Sequence, residues 1–237
     1  MLPYFIWNGV DCRTKGLAIS TPPRVIPEER VEQITVPGRP GAILRPEGVG
    51  IYAPYVLTIH AGNRGGASLQ AILSWLRGPG TLILSSEPNR AYEARVINAG
   101  QLDHLFRDTY QGDIQFFCQP LRAQVPAEAD VTASSSPVAI TNPGDVPARA
   151  LYSVTGTGEI FLLMDGERVF EVVLPEEEAA TVLVDTAAGM TVTSNGENYN
   201  NHATGSYRGL WIPTGAHSLA WEGSLTALTV TPRWRWI

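Results

Sequence analysis

The stretch VEQITVPGRPGAI, residues 31–43, sets the reading of the fold. Val31, Ile34 and Val36 belong to a strand-like run that stops at Pro37-Gly38-Arg39-Pro40-Gly41, where proline removes a backbone donor and the glycines permit positive φ. The pattern predicts a strand ending in a rigid, arginine-tipped turn. The stretch holds no histidine, cysteine, serine or acid pair, so it calls for a structural or interface role.

Upstream, Tyr4 to Trp7 reads as a first strand, and Asn8-Gly9 is a turn that returns the chain through Gly16-Leu17-Ala18-Ile19 as an opening hairpin. Pro22, Pro23 and Pro27 keep the connection extended. Downstream, Ile51 to His60 alternates Val56, Thr58 and His60 against Tyr55, Leu57 and Ile59, a half-buried strand with Pro54 at an edge. Leu69, Ile72, Leu73 and Leu76 recur at helical spacing and predict one helix from about Ser68 to Arg77, with Ser68 as N-cap and Gly78 closing it. It should pack one face on a sheet. Thr81 to Leu84 and Tyr92 to Ile97 form a hairpin beside it, Gln101 to Arg107 a helical turn, and Asp113 to Cys118 a last strand before Gln119-Pro120.

Residues 122–136 are polar, small and aperiodic, which places a linker there and divides the chain into a first domain over 1–125, a linker over 126–136 and a second domain over 137–237. The second domain is a string of short strands: Val138 to Thr141, Ala148 to Thr155, Glu159 to Met164, Val169 to Leu174, Thr181 to Asp185, Met190 to Ser194, Leu210 to Ile212, Ser218 to Glu222 and Ser224 to Pro232. Gly156-Thr157-Gly158, Asp165-Gly166, Asn195-Gly196 and Glu222-Gly223 are among the turns that part them. Such spacing describes an antiparallel β-sandwich. The fold class is therefore mainly β: a first β domain with one packed helix, then a sandwich.

Composition narrows function by exclusion. The 237 residues include 23 Gly and 18 Pro, which suits many turns, and no run reaches the ~18 apolar residues of a membrane span. The start is too short in apolar residues for a signal peptide, so a soluble protein made in the cytoplasm is expected. Residues 127–237 carry 5 basic against 13 acidic side chains, and no basic block argues for nucleic-acid binding. Cys12 and Cys118 read as buried free thiols, with a disulfide between them as the other reading. His60 lacks a second ligand at metal spacing and reads as a surface or hydrogen-bonded histidine. Asp103-His104 are neighbours on a turn and do not face each other. Gly156-Thr157-Gly158 lacks the helix of a phosphate cradle, and the contiguous Glu176-Glu177-Glu178 lacks the alternating ligands of a calcium loop. A glycosidase needs two carboxylates across a cleft, for which Asp165, Glu167 and Asp185 are the candidates, each beside a turn. No enzyme, metal or cofactor is expected. Tyr199, Trp211 and Trp221 are candidate glycan contacts, core packing being the other reading of the two tryptophans, and Trp234 and Trp236 alternate with Arg233 and Arg235 on a final strand.

The assembled order carries a likeness. YFIWNGVDCRTKGLAI (4–19), VEQITVPGRPGAI, LQAILSWLRG (69–78), YEARVINAGQL (92–102) and DIQFFCQPL (113–121) together resemble the N-terminal domain of siphophage distal tail proteins. VAITNPGDVPARALYSVTGTGEIFLLMDG (138–166), VLVDT (182–186) and LWIPTGAHSLAWEGSLTALTVTPRWRW (210–236) resemble the C-terminal galectin-like or carbohydrate-binding-module-like sandwich of that family. The resemblance implies a homo-hexameric ring of N-terminal domains at the virion tail tip, assembled in the host cytoplasm. Such a ring joins the tail tube protein to the hub, or tail-associated, protein and carries receptor-binding proteins or contacts host-surface glycans. Under it, Ile34 and Val36 hold their strand in the ring domain's sheet and Arg39 meets a neighbouring protomer or the hub. The alternative is a carbohydrate-binding module protein that attaches to host glycan through its second domain.

Overall fold

Asn8 and Gly9 both adopt positive φ, 50° and 78°, the two-residue geometry that matches the twist of paired strands. They join β1 (Phe5–Trp7) to β2 (Val10–Asp11) in the computed structural model, which describes residues 2–48, 50–64, 68–106 and 109–237. The hairpin therefore returns through Val10-Asp11, not through Gly16 to Ile19. Asp11 starts a 3-10 turn, Cys12–Lys15, by accepting from the Arg13 N–H at 2.9 Å, and Gly16 ends it at φ 75°. That turn carries β3 (Leu17–Ile19) away to the far edge of the sheet.

Next come β4 (Val31–Thr35), β5 (Ala42–Pro46), β6 (Tyr55–Arg64), the helix α1 (Leu69–Trp75), β7 (Pro79–Leu84), β8 (Arg90–Phe106) and β9 (Thr109–Gln124). Seven strands form one antiparallel sheet in the order β2-β1-β7-β8-β9-β6-β3. Ser68 caps α1 by accepting from the Ala71 N–H at 3.3 Å, Ile72 and Leu76 are fully buried, and Gly78 follows at φ 88°. The helix lies as its spacing predicts. Phe5 stacks on Trp75 and meets Phe116 edge-on, with centroids 5.8 and 5.6 Å apart. Cys12 and Cys118 are buried free thiols, and burial pushes the Cys118 thiol up to about 12.

Residues 101–106 are strand, not a helical turn, and pair with the start of β9, while Arg107 lies outside the described residues. Asp103 and His104 therefore sit on β8. Pro120 does not end β9, which runs on to Gln124.

The chain divides into two units, the first ending at Pro126 and the second spanning Ala127–Trp236. In the second, β10 (Val131–Ala133) arises inside the stretch read as a linker and pairs with a later strand. It is followed by β11 (Val138–Asn142), β12 (Leu151–Met164), β13 (Glu167–Val173), β14 (Ala180–Asp185), β15 (Met190–Thr193), β16 (Ala203–Gly205), β17 (Gly215–Thr231) and β18 (Arg235–Trp236). Strand β17 flanks β12 on one side, and on the other β14 pairs with its first half and β13 with its second. The branches enclose Tyr152, Val154, Ile160, Leu162, Val172, Val184, Leu219 and Leu228, all fully buried.

Two expected turns are absent. Gly156-Thr157-Gly158 lies within β12, and Glu222-Gly223 lies within β17; the register shifts where they meet. A Cβ on Gly156 would meet the Ser224 carbonyl, and one on Gly223, which sits at φ 101°, would meet the Glu159 carbonyl. These glycines let two long strands bend past each other, a use of strand glycine that sequence alone does not separate from a turn. Leu210 to Ile212 is not a strand; Ile212 makes one bridge to Ala148. Trp234 and Trp236 are buried in the core, not on an aromatic face.

Candidate assembly surface

The strand of VEQITVPGRPGAI does not join the first unit's sheet. It pairs only with β5, as a separate two-stranded arm in which Ile34 faces Ile43, Glu32 faces Arg45 and Gln33 faces Leu44. Ile34 and Val36 therefore do not anchor a sheet strand, and they are 37% and 38% exposed, with Ile43 at 42% and Leu44 at 60%. The local chemistry explains the arm. Pro37 and Gly38 fill the two central positions of a turn closed by the Arg39 N–H on the Val36 carbonyl at 3.1 Å, with Gly38 at φ 79° as a type II turn requires. At the stem, Arg30 pairs with Glu47 at 2.9 Å, and backbone bonds from Arg30 to Ile51 and from Ala53 to Glu28 continue the ladder into the unit. A lone hairpin is marginal in water. This one leaves Ile34, Val36 and Ile43 between 37% and 42% exposed toward its tip.

A second apolar patch lies on the outward face of the sheet. Val56 (44% exposed) and Phe117 (37%) face each other across β6 and β9, and Ile97 (52%) stands on the adjacent β8. Beside Phe117, a recess of about 330 Å³ is lined by Pro79, Gly80, Glu93, Ala94 and Arg95. Further along that face, His60 Nδ1 lies 2.8 Å from Asp113 Oδ1 and its Nε2 lies 2.8 Å from Gln111, a hydrogen-bonded surface histidine as its lone position implies.

The β7–β8 connection is braced against β8 and β9 by a group that sequence reading missed. Arg122, with 8% of its side chain exposed, donates to Glu87, which also accepts from the Tyr92 hydroxyl at 3.1 Å. Burial works to raise the Glu87 carboxyl, but the hydrogen bond and charge of Arg122 hold it below its ordinary value. Residues 35 positions apart carry no sequence signal of pairing.

In the second unit two of the three glycosidase candidates, Asp165 and Asp185, hold structural partners. Asp165 accepts from the Ser218 N–H at 2.9 Å and from His217 at 2.7 Å, in that order the causes that lower its pKa. Asp185 caps the Ala187 and Ala188 N–H groups and accepts both arms of Arg233, at 2.9 and 3.1 Å; despite its burial it too stays below the usual carboxylate range. Glu167 is exposed at the β12–β13 turn. Among the described residues no group of three His, Cys, Asp or Glu side chains could hold a metal ion, and no helix is long and apolar enough to cross a membrane.

The three candidate glycan contacts do not share one function. Tyr199 packs on the core, donates to the Val173 carbonyl at 2.9 Å and meets His202 at 4.6 Å. Trp221 also packs on the core, its backbone N–H bonded to Ser136 Oγ at 3.1 Å. Trp211 is held by its indole N–H on the Thr186 carbonyl at 3.3 Å, with the Arg149 and Arg208 guanidinium carbons 4.6 and 5.3 Å from its ring.

No protein-family model matches the chain, and no curated protein does. Among solved structures, the chain is similar to the SPP1 Dit protein, whose crystal structure is described as a paradigm of the hub adsorption apparatus in phages that infect Gram-positive hosts. The TM-score is 0.74 at 17% identity, over 100% of each chain. The mainly β, two-part architecture expected from the sequence is thus a fold already known.

Proposed function

We propose that this chain is a distal tail protein of a long-tailed phage, a structural component of the tail tip and not an enzyme. The observation that carries the reading is the end-to-end match in fold to the SPP1 Dit protein. In this reading the first unit, residues 1–125 in the sequence partition, closes into a homo-hexameric ring between the tail tube and the hub, and the second unit carries host-adsorption components. The particle is assembled in the host cytoplasm.

A closed ring needs a heterologous contact, with two different patches on each protomer. The arm tip, with Ile34, Val36 and Arg39, and the outward face around Val56, Phe117 and Ile97 are two such patches on one unit. The arm is assigned to the neighbouring copy or the hub. The carbohydrate-binding alternative lacks a comparable observation, since Tyr199 and Trp221 rest on the core and the Trp211 ring is met by the guanidinium groups of Arg149 and Arg208.

Native mass measurement with negative-stain imaging tests the reading, with and without the hub partner. A sixfold ring is expected. A persistent monomer in the presence of the hub overturns it.

A further inference from the structure

The second unit carries five basic side chains, all arginine, among thirteen acidic ones in residues 127–237. With that ratio every arginine has acids to choose from. Arg168 takes Glu222 and Arg233 takes Asp185. Arg149 and Arg208, both exposed, have no ion pair among the described residues; instead they converge on the half-buried ring of Trp211. We propose that Arg149, Trp211 and Arg208 form a binding site for phosphate groups.

The backbone builds this arrangement. Ala148 and Ile212 exchange hydrogen bonds at 2.8 and 3.0 Å, so Arg149 and Trp211, the adjacent positions, lie across from each other. The Trp211 N–H bonds back to the Arg208 carbonyl at 3.1 Å, which brings Arg208 round to the same residue. The Thr186 carbonyl fixes the indole, and Thr186 is itself held on the Ala150 carbonyl at 2.7 Å. Trp211 is thus anchored at its indole nitrogen, with a guanidinium group over its ring from each of two segments.

Stacking on an aromatic ring engages the face of a guanidinium and leaves its N–H edge free to donate. Two such edges, each a planar fork, match the oxygens of phosphate, and a doubly charged or repeating anion is the ligand that answers two cations at once. Both guanidinium carbons lie within 5.3 Å of one ring centroid and neither has an acidic partner among the described residues, so a bound anion would supply the missing counter-charge. The surrounding acids are screened beyond about 8 Å at physiological salt, so they slow the approach of a polyanion more than they oppose its contact.

The test uses the full-length protein and calorimetric titration with inorganic phosphate, a glycerol-phosphate oligomer and a polyuronate of matched charge. Inorganic phosphate should bind with a dissociation constant on the order of millimolar, and the oligomer at least about tenfold tighter if the site serves a phosphodiester polymer, since linked groups raise the local concentration. Equal affinity per phosphate for the two would assign the site to the free ion. The variant Arg149→Gln with Arg208→Gln should lose at least about tenfold in affinity while its melting temperature stays put, because both side chains are exposed. Arg168→Gln is the control and should bind as the parent does. Unchanged binding in the double variant, no binding at about 10 mM phosphate, or equal binding of the polyuronate each overturns the proposal. None of these outcomes depends on ring formation.

Discussion

His217 Nδ1 lies 2.7 Å from Asp165 Oδ2, and the other oxygen of Asp165 accepts the Ser218 N–H. The pair pins the β12–β13 turn to the start of β17. The hydrogen bond that His217 donates to Asp165 raises the His217 pKa above its ordinary 6.5, and Asp165 is lowered from 3.8. A raised histidine contributes fully below 6.5 and loses its contribution as pH climbs through the folded value. The aspartate contributes above 3.8 and loses its share as pH falls through its own lowered value. Thermal melts should therefore show the parent exceeding His217→Gln by more at pH 5.5 than at pH 8.5, by well under about 1 kcal/mol because Asp165 is half exposed. A gap that widens with pH contradicts the pairing.

Glu87→Gln should destabilise the first unit by about 1–3 kcal/mol, since it leaves the nearly buried Arg122 facing a neutral amide. Urea unfolding followed by tryptophan fluorescence reads this out. A change below about 0.5 kcal/mol would show that water serves Arg122 as well as the carboxylate does.

Gly223→Ala should cost about 3 kcal/mol or more, because the residue sits at φ 101° and its new methyl would strike the Glu159 carbonyl. Gly189→Ala is the comparison: φ is 65° but the space is open, so about 1–2 kcal/mol is expected. The difference between the two, measured by equilibrium unfolding, isolates the crossing of β12 and β17.

Arg39→Glu should weaken ring formation, and Ile34→Asp with Ile43→Asp should abolish it, with little change in the melting temperature of the monomer. Both isoleucines are already exposed on the arm. Sedimentation velocity separates the outcomes. Rings that form normally in both variants would reduce the arm to a surface loop.

Signals that act over a few residues were legible. Asn8-Gly9, the Ser68 cap and the Leu69, Ile72 and Leu76 spacing each carry their own geometry, and each is found where it was expected. What depends on distant neighbours was not. The glycines at 156 and 223 read as turns because a turn and a close crossing both need a residue without Cβ, and only the carbonyls of Ser224 and Glu159 tell them apart. Ile34 and Val36 read as sheet residues because apolar alternation marks a strand without saying what covers it. Trp211 stood open between core packing and a glycan contact in the sequence, because the arginines on its ring are three and sixty-two positions away.

The arm also sets a clock. A free subunit displays a hairpin with isoleucines at 37% and 42% exposure and strand edges available for pairing, so its association through the arm should grow with its concentration. On the proposed assembly role, slow synthesis with prompt capture by a partner would favour ordered assembly, while a large standing pool of monomers would invite disordered association. Expressed alone and in excess, the protein should therefore be hardest to keep in solution under the conditions that most disfavour its orderly self-association.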